Sequence, residues 1–399
     1  MKPKNILVTL VVVLVLAGII VGAVWGITAS RKKRALTDLQ TARDLLANGK
    51  TEPALAILKE NVVKYPKAQT TPEALYILGK IFHENPNTAA EAATVFERLL
   101  ADFPQSPFSK QALFYRALAL LDEKPVKEET RAFFLDLKKN PVNAQAAAVA
   151  EYALALDSLA KGEKIPARDA MTGLLEGNLP EELRARVEKE LGDLNMKILM
   201  NPDPDEGDEV YEIKKGDYIY DIARKYKVPQ ELILKCNGIS DPKRMSIGQN
   251  VKIPRPSFSL LVDKYTNTMT LLNKGRFFKK YRIRTGSHEN KTPVGTFTIQ
   301  NKKSDPRWVN PRTLKVYPGG DPENELGSRW MSFKDDDLGI HGTIKPETVG
   351  YYSSFGCVGM LKEDVEELFD IIPVGTPLKI VGEMNPEIVE KSKALGYRD

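Results

Sequence analysis

The longest regular pattern in the chain is a run of amphipathic helices between residues 35 and 200. Three helices end in the similar segments LKENVVKYP, FERLLADFP and FLDLKKNP, whose final prolines lie 38 and 37 residues apart. Each proline ends one helix, and an apolar helix follows. A period in the high thirties with two helices per unit predicts stacked helix pairs. A fourth, weaker unit begins at Pro180, and an irregular helical bundle is the alternative.

This helical region contains no residue that suggests chemistry. Its only histidine, His83, lies on a predicted helix and is interpreted as structural. We therefore interpret residues 35–200 as a scaffold or as a surface for a protein partner.

A compact pattern of a different kind follows the helices. Residues 201–209, NPDPDEGDE, are acidic and contain two prolines, which predicts a linker. Residues 210–256 have a strand pattern at each end and two short helices between, which predicts a small βααβ unit with a shallow groove between loop and helix. Cys236 lies in the second of these helices among aliphatic residues, which favours a buried thiol.

From residue 257 to residue 384 the apolar positions recur with the period of two that is typical of strands. Breaks at 266–267 and 273–275 divide the first part into antiparallel hairpins. A single amphipathic helix is predicted over 361–372, and TPLKIVG is predicted to be the closing strand. The pattern predicts a mostly-β domain with one helix shortly after a cysteine. Residues 385–399 are interpreted as a C-terminal tail.

The first hairpins of this β-rich domain also carry a run of basic residues. We interpret the run as a solvated strand face, and a binding site for a polyanion is the alternative. The run consists of Lys274, Arg276, Lys279, Lys280, Arg282 and Arg284.

The N-terminal residues 1–30 contain an uncharged apolar stretch at 6–27. A helix of this length spans about 30 Å, the thickness of the hydrocarbon core of a bilayer. No small-residue cleavage site ends the stretch, so an uncleaved membrane anchor is favoured over a signal peptide. Basic residues flank it on both sides, and the orientation is therefore left to the functional argument.

Composition excludes several classes of function. The 58 basic and 53 acidic residues give a net charge of +5, which is too small to suggest a nucleic-acid partner. The two cysteines form no disulfide framework, and with three scattered histidines they do not suggest a zinc site. We therefore expect no metal and no cofactor.

The candidate chemistry lies in the segments GIHGT and SSFGCVGM, which place His341 16 residues before Cys357. Only a thiolate attacks a carbonyl well, and an imidazole within hydrogen-bond reach can take the thiol proton and later give it to a leaving amine. The spacing leaves room for one strand to turn and return beside itself. Flanking glycines allow backbone N–H groups near Phe355, Gly356 and Cys357 to face an oxyanion.

Two further observations bear on this pair. The helix predicted shortly after Cys357 would favour its thiolate with the positive end of its dipole. Among the remaining histidines only His288 lies in the same domain, and it is in a loop. A buried thiol beside a structural histidine is the alternative reading of the residues alone.

Three segments resemble known families. The helical region resembles a divergent tetratricopeptide array. Residues 210–256 resemble a LysM module through KKGDYIYDIARKY, NGI and IGQNVKIP, which implies binding to glycans that contain N-acetylglucosamine. The β-rich domain resembles the YkuD family of L,D-transpeptidases through IHGT, SFGC and KTPVGTFTI.

The YkuD resemblance implies roles for individual residues. Cys357 would form an acyl-enzyme, and His341 would act as general base and acid. The backbone carbonyl of Gly342 would orient the imidazole, and Ser354 would support the cysteine loop. The family usually has Arg or Asn two residues after the cysteine, whereas this chain has Gly359, which puts substrate details in doubt.

The fold class expected from these observations is a multidomain chain. It consists of a transmembrane helix, an all-α repeat region, a small βααβ LysM module and a mostly-β catalytic domain. The implied function is a peptidoglycan L,D-transpeptidase at the bacterial cell membrane with an extracytoplasmic catalytic domain. Such an enzyme attacks a tetrapeptide stem, releases D-alanine and transfers the acyl group to an amine, with carboxypeptidase activity when water is the acceptor. A wall-binding scaffold with an impaired active site is the alternative.

Overall fold

A computed structural model of the chain describes residues 3–121, 127–288, 291–311, 313–335 and 337–397, with the backbone alone at 3–24, 86 and 244. It divides into two compact units, 1–161 and 162–399. Of the predicted membrane anchor, residues 1–2 are outside the described residues and residues 3–24 are described by their backbone alone, which is helical. Among the helices that are described, none combines the length and the apolar character needed to cross a bilayer.

The first unit is built from antiparallel helix pairs, as the proline spacing predicts. Alanines occupy the tight helix crossings, and Ala54, Ala74, Ala92 and Ala112 are fully buried. The helices are α1 (Pro3–Ala47), α2 (Thr51–Lys64), α3 (Thr71–Glu84), α4 (Ala89–Asp102), α5 (Ser109–Leu120), α6 (Glu128–Lys139) and α7 (Ala144–Ala160).

The 38-residue period recurs at the level of single hydrogen bonds. The hydroxyl of Thr71 donates to the Tyr65 carbonyl at 2.5 Å, and the hydroxyl of Ser109 donates to the Phe103 carbonyl at 2.8 Å. Each hydroxyl lies at the start of a helix and binds the carbonyl that ends the preceding helix. The same turn is therefore built twice, one repeat apart.

The second unit begins with two more helices, α8 (Lys164–Glu176) and α9 (Glu181–Leu199). The sequence pattern assigns both to the helical region 35–200, whereas the structure groups them with the β-rich domain. The reason is packing: Met196 and Leu199 of α9 lie in the hydrophobic core of that domain. In addition, the Asn195 side-chain amide donates to the Phe278 carbonyl at 2.9 Å.

The βααβ unit has the elements predicted for it. It consists of β1 (Glu209–Glu212), α10 (Ile219–Tyr226), α11 (Gln230–Cys236) and β2 (Asn250–Ile253). The strands β1 and β2 pair in antiparallel register around a small core that includes Ile222, Ile233 and Val251. This is the smallest of the hydrophobic clusters in the second unit that the structure describes.

A buried lysine fixes the βααβ unit to the end of α9. The Nζ of Lys252 donates to the carbonyls of Ile198, Leu199, Asn201 and Asp203 at 2.9–3.3 Å and lies 3.2 Å from a carboxylate oxygen of Asp208. The last turn of a helix leaves carbonyls without partners, and this ammonium satisfies them. The segment 201–208, predicted as a linker, is therefore held in place by the module that follows it.

The β-rich domain is one mixed sheet with a two-stranded ribbon beside it. The sheet order is β6-β14-β3-β4-β5-β13-β11-β10-β7, with β12 pairing with β5. The strands are β3 (Phe258–Asp263), β4 (Thr268–Asn273), β5 (Arg276–Gly286), β6 (Gly295–Thr298), β7 (Asn301–Ser304), β10 (Arg329–Lys334), β11 (Leu338–Gly342), β12 (Tyr352–Ser354), β13 (Val358–Met360) and β14 (Pro377–Val381). The ribbon pairs β8 (Trp308–Val309) with β9 (Val316–Tyr317).

Two helices complete this domain. Helix α12 (Lys362–Ile371) is the predicted amphipathic helix, and it buries Val365 and Leu368 against the sheet. Residues 385–399, interpreted as a tail, contain a further helix, α13 (Pro386–Ala394). The hydroxyl of Ser392 in α13 accepts a hydrogen bond from the Tyr352 amide at 3.1 Å, so this helix is packed onto β12.

Candidate active site

A cavity of about 620 Å³ lies where β5, β13 and β11 run side by side. Strand β11 is parallel to β13, which is antiparallel to β5, and this arrangement brings residues distant in sequence to one wall. The cavity contains both residues of the predicted pair. Its lining includes Arg284, Trp330, Asp337, His341, Ser354 and Cys357.

His341 is held rigidly in β11 and is only 3% exposed. Its Nδ1 lies within hydrogen-bond distance of the Gly342 carbonyl oxygen, and the Trp330 ring stacks on the imidazole with centroids 6.0 Å apart. A carbonyl can only accept, so the neutral ring carries its hydrogen on Nδ1 and keeps a lone pair on Nε2. The ring is thereby prepared to accept a proton at Nε2.

Cys357 lies in the bend between β12 and β13, and it is partly exposed. Its Sγ lies 3.9 Å from the Asp337 carbonyl oxygen. Burial raises the pKa of the Cys357 thiol, while a hydrogen bond from the Gly339 backbone and the positive charge of Arg284 act in the opposite direction. The net direction is upward, so the thiol form prevails in the resting site.

The loop that carries Cys357 is held by a chain of hydrogen bonds. The Ser354 hydroxyl donates to the Cys357 carbonyl at 2.6 Å and accepts from the Gly356 amide at 3.1 Å. The Thr292 hydroxyl donates to the Gly356 carbonyl and accepts from the Gly286 amide, both at 2.8 Å. These contacts tie the loop to the end of β5.

One expectation at this site differs from what the structure contains. The Gly356 amide, expected to face an oxyanion, donates instead to Ser354, so it is already engaged. The expected effect of the helix dipole on the thiolate stays a prediction, and burial is the largest influence on the pKa of Cys357. Phe355 lines the cavity with a 44% exposed side chain, and its predicted role stays a prediction.

The imidazole of His341 is also neutral at rest. Its pKa is lowered to about 3, because burial and the positive charge of Arg284 both lower it and the hydrogen bond with Gly342 offsets only part of their effect. The resting cavity therefore holds a thiol and a neutral imidazole, and a proton must move when the sulfur reacts.

The sequence reasoning missed Arg284. The basic run to which it belongs was interpreted as a solvated face, but Arg284 is 4% exposed and lines the cavity. The period-two alternation of β5 does not predict the burial of Arg284, because Ile283, Arg284 and Thr285 are buried in succession. Both edges of the strand are paired at this point, β13 with Ile283 and Arg284 and β12 with Thr285 and Gly286, so this end of β5 lies inside the sheet.

The second cysteine, Cys236, has a different environment in the βααβ unit. It is fully buried, and its Sγ lies 3.4 Å from the Ile233 carbonyl oxygen. Burial raises its pKa to about 11. Among the residues that the structure describes, no group of three or more His, Cys, Asp or Glu side chains is placed to hold a metal ion.

The β-rich domain thus presents a cysteine and a histidine in one cavity of a mixed sheet, behind a small βααβ module. Models of three families match the chain. The L,D-transpeptidase catalytic domain, YkuD, matches residues 257–380, the LysM domain matches 211–254, and the tetratricopeptide repeat matches 39–107 and 87–144.

Several curated relatives carry the name L,D-transpeptidase. YkuD of Bacillus licheniformis is 30% identical over 177 residues, which are 43% of this chain and 98% of that protein. YkuD of Bacillus subtilis is 32% identical over 181 residues, covering 43% of this chain and 97% of that protein. YqjB of the same organism is 36% identical over 143 residues, or 34% of this chain and 79% of that protein. The chain belongs to the YkuD family of L,D-transpeptidases, and it also carries a LysM domain and tetratricopeptide repeats.

Proposed function

We propose that this protein is a peptidoglycan L,D-transpeptidase that forms an acyl-enzyme on Cys357. The observation that carries the proposal is the shared cavity of Cys357 and His341, with the histidine held so that Nε2 is the proton acceptor. Membership of the L,D-transpeptidase family supports the reaction class.

In the proposed first step, the Cys357 sulfur attacks the carbonyl carbon of the third residue of a tetrapeptide stem. Its proton passes to Nε2 of His341 as the carbon–sulfur bond forms. The carbon–nitrogen bond to D-alanine then breaks, and His341 returns the proton to the leaving amine. Because both groups are neutral at rest, attack and proton transfer are coupled, and no stable ion pair precedes them.

In the second step an acceptor resolves the thioester. The acceptor gives a proton to His341 and attacks the thioester carbonyl, and the departing sulfur recovers that proton. An amine of another stem gives a crosslink, a lipoprotein lysine gives protein anchoring, and water gives carboxypeptidase activity. The proposal covers an amine as the main acceptor and water as a side reaction.

The other domains fit this assignment. We propose that the LysM module binds the glycan strand and that residues 1–30 anchor the chain in the bacterial membrane with the catalytic domain outside the cytoplasm. Tethering at the polymer raises the effective concentration of stems at the active site without further contacts. The helical repeats then present a surface for a protein partner.

Release of D-alanine from a purified tetrapeptide stem tests the catalytic proposal. We expect turnover by the wild type, none by Cys357→Ala, and wild-type turnover by the matched control Cys236→Ala. A carbapenem should add its mass to Cys357 and not to Cys236. Undiminished release by Cys357→Ala would exclude this cysteine as the nucleophile. A wild type that binds insoluble wall without releasing D-alanine would favour a scaffold.

A further inference from the structure

Three residues lie in one row across the centre of the catalytic sheet. Gly359 in β13 is directly opposite Arg284 in β5 on one side and His341 in β11 on the other. The middle position of this row therefore separates a buried cation from the imidazole. The size of the side chain at position 359 therefore determines how much space the Arg284 side chain has.

The absence of a side chain at Gly359 makes room for Arg284. A Cβ at position 359 would lie 2.7 Å from Cγ and 3.0 Å from Cδ of Arg284, and closer still to its Nε. Such distances do not occur between real atoms, so any larger residue at 359 displaces the arginine. The backbone of Gly359 itself is extended and needs no glycine, because its φ is not positive.

The guanidinium of Arg284 is buried, and one of its nitrogens has no hydrogen-bond partner among the described residues. Its Nη1 donates to the Thr348 hydroxyl at 3.1 Å. Its Nε has no hydrogen-bond partner among the described residues, and none of their carboxylates lies within ion-pair distance. Burying a cation without a partner is costly, so a protein retains one where an anion forms or binds.

The charged groups around Arg284 indicate which anion that is. Burial lowers the pKa of Arg284, and three negative groups oppose that effect: Glu325, which also lines the cavity, the Cys357 thiolate and Glu347. Of these three, Cys357 is the group whose charge appears only when its proton leaves. Conversely, the Arg284 charge opposes protonation of His341 and favours ionisation of Cys357. Only the second effect stabilises negative charge on the sulfur; the first makes His341 a weaker proton acceptor.

We propose that Arg284 is the electrostatic group that stabilises the thiolate of Cys357 as its proton leaves, and that Gly359 is required to admit it. This inference rests on the proposed function. It also accounts for the departure at position 359: where the family resemblance expects Arg or Asn on β13, this chain carries a cation on the neighbouring strand at the same level.

Alkylation of Cys357 by iodoacetamide across a pH series tests the proposal without any wall substrate. In Arg284→Gln the thiolate loses its neighbouring cation, so we expect alkylation at pH 7 to be about tenfold slower and the pH profile to move to higher pH. Arg284→Lys keeps the charge and should lie between the two. Arg282→Gln removes an exposed arginine of the same strand and should match the wild type.

Moving the charge across the sheet gives the sharper test. Gly359→Ala should displace Arg284 and slow alkylation even though it removes no charge. Gly359→Arg combined with Arg284→Gly should recover much of the rate that Arg284→Gly loses. A merely structural role would lower the melting temperature of these variants without moving the profile.

An unchanged alkylation profile in a folded Arg284→Gln protein would overturn the inference. If that variant does not fold, Gly359→Ala decides, and a wild-type profile there would overturn it equally. Failure of the proposed function is separate, because it would leave the alkylation profiles intact while D-alanine release is absent from the wild type.

Discussion

The two cysteines of this chain share two properties and differ in their surroundings. Each has a raised pKa, and each lies near a buried cation that acts against that rise, but Cys236 is fully buried whereas Cys357 is partly exposed. Near Cys236 the cation is Lys252, which is bound by four carbonyls and a carboxylate. Near Cys357 it is Arg284, which has one hydrogen bond and an unpartnered Nε among the described residues.

The comparison teaches that a raised pKa and a nearby buried cation do not by themselves mark a reactive thiol. Both sites have these properties, but only the Cys357 site has a cavity, an oriented imidazole and a cation with an unpartnered Nε among the described residues. At Lys252 the charge is used to hold the fold together. The positive charge of Arg284 is instead available to a negative charge that forms during the reaction, which we propose is the Cys357 thiolate.

The largest expected effect concerns the imidazole, which the Cys236 site lacks. Replacing His341 with Gln removes the proton acceptor, and we expect the rate of D-alanine release to fall by about 10²- to 10⁴-fold. His288→Gln, which changes the exposed histidine of the same domain, should leave the rate unchanged. Equal losses in both variants would contradict the assignment.

Lys252, whose ammonium has several hydrogen-bond partners, should affect the stability of the protein and not its reaction rate. Lys252→Met leaves a carboxylate and several carbonyls without their partner, and we expect the free energy of unfolding to fall by about 3 kcal/mol. Urea unfolding measures it, and D-alanine release by the protein that remains folded should be normal. The control Arg255→Met breaks an exposed ion pair with Glu209 and should cost less than about 1 kcal/mol.

The two thiols should differ in native reactivity. Because Cys236 must wait for local unfolding, we expect iodoacetamide to modify Cys357 about a hundredfold faster in the folded protein. In strong denaturant the rates should converge, and mass spectrometry of the two peptides follows both. Comparable native rates would show that the cavity does not distinguish the two cysteines.

The last expected effect is the pH dependence of stability that His341 contributes, which is gradual because it is spread over several pH units. Its pKa in the folded protein is about 3, below the unfolded value of about 6.5. The unfolded chain therefore binds the extra proton first, and stability falls as pH drops from about 6.5 toward 3. Relative to His341→Gln, the wild type should lose about 1.4 kcal/mol per pH unit near pH 5 in urea titrations. Parallel slopes would contradict the buried, neutral imidazole.

The sequence predicts local features of this protein well. The repeated prolines predict the turns of the helical region because a proline ends a helix by its local geometry, without help from distant residues. The period-two alternation likewise predicts the strands. The common cavity of His341 and Cys357 agrees with the short spacing between them, since β13 returns beside β11.

Features that depend on distant packing were not predictable. Helix α9 resembles the preceding helices in sequence, yet its partner is β5, about 80 residues further along the chain. Arg284 resembles its exposed neighbour Arg282, and only the pairing of β12 and β13 with the end of β5 buries it. The alternation of apolar and polar residues within β5 does not show which other strands will pair with it.

The contacts of Lys252 with the end of α9 also have a geometric consequence. Helix α9 is fixed to β5, and Lys252 fixes the glycan-binding candidate to α9, so that module and the cavity belong to one body. If the βααβ unit binds a glycan strand, as proposed, the distance from the bound sugar to the sulfur of Cys357 is therefore fixed.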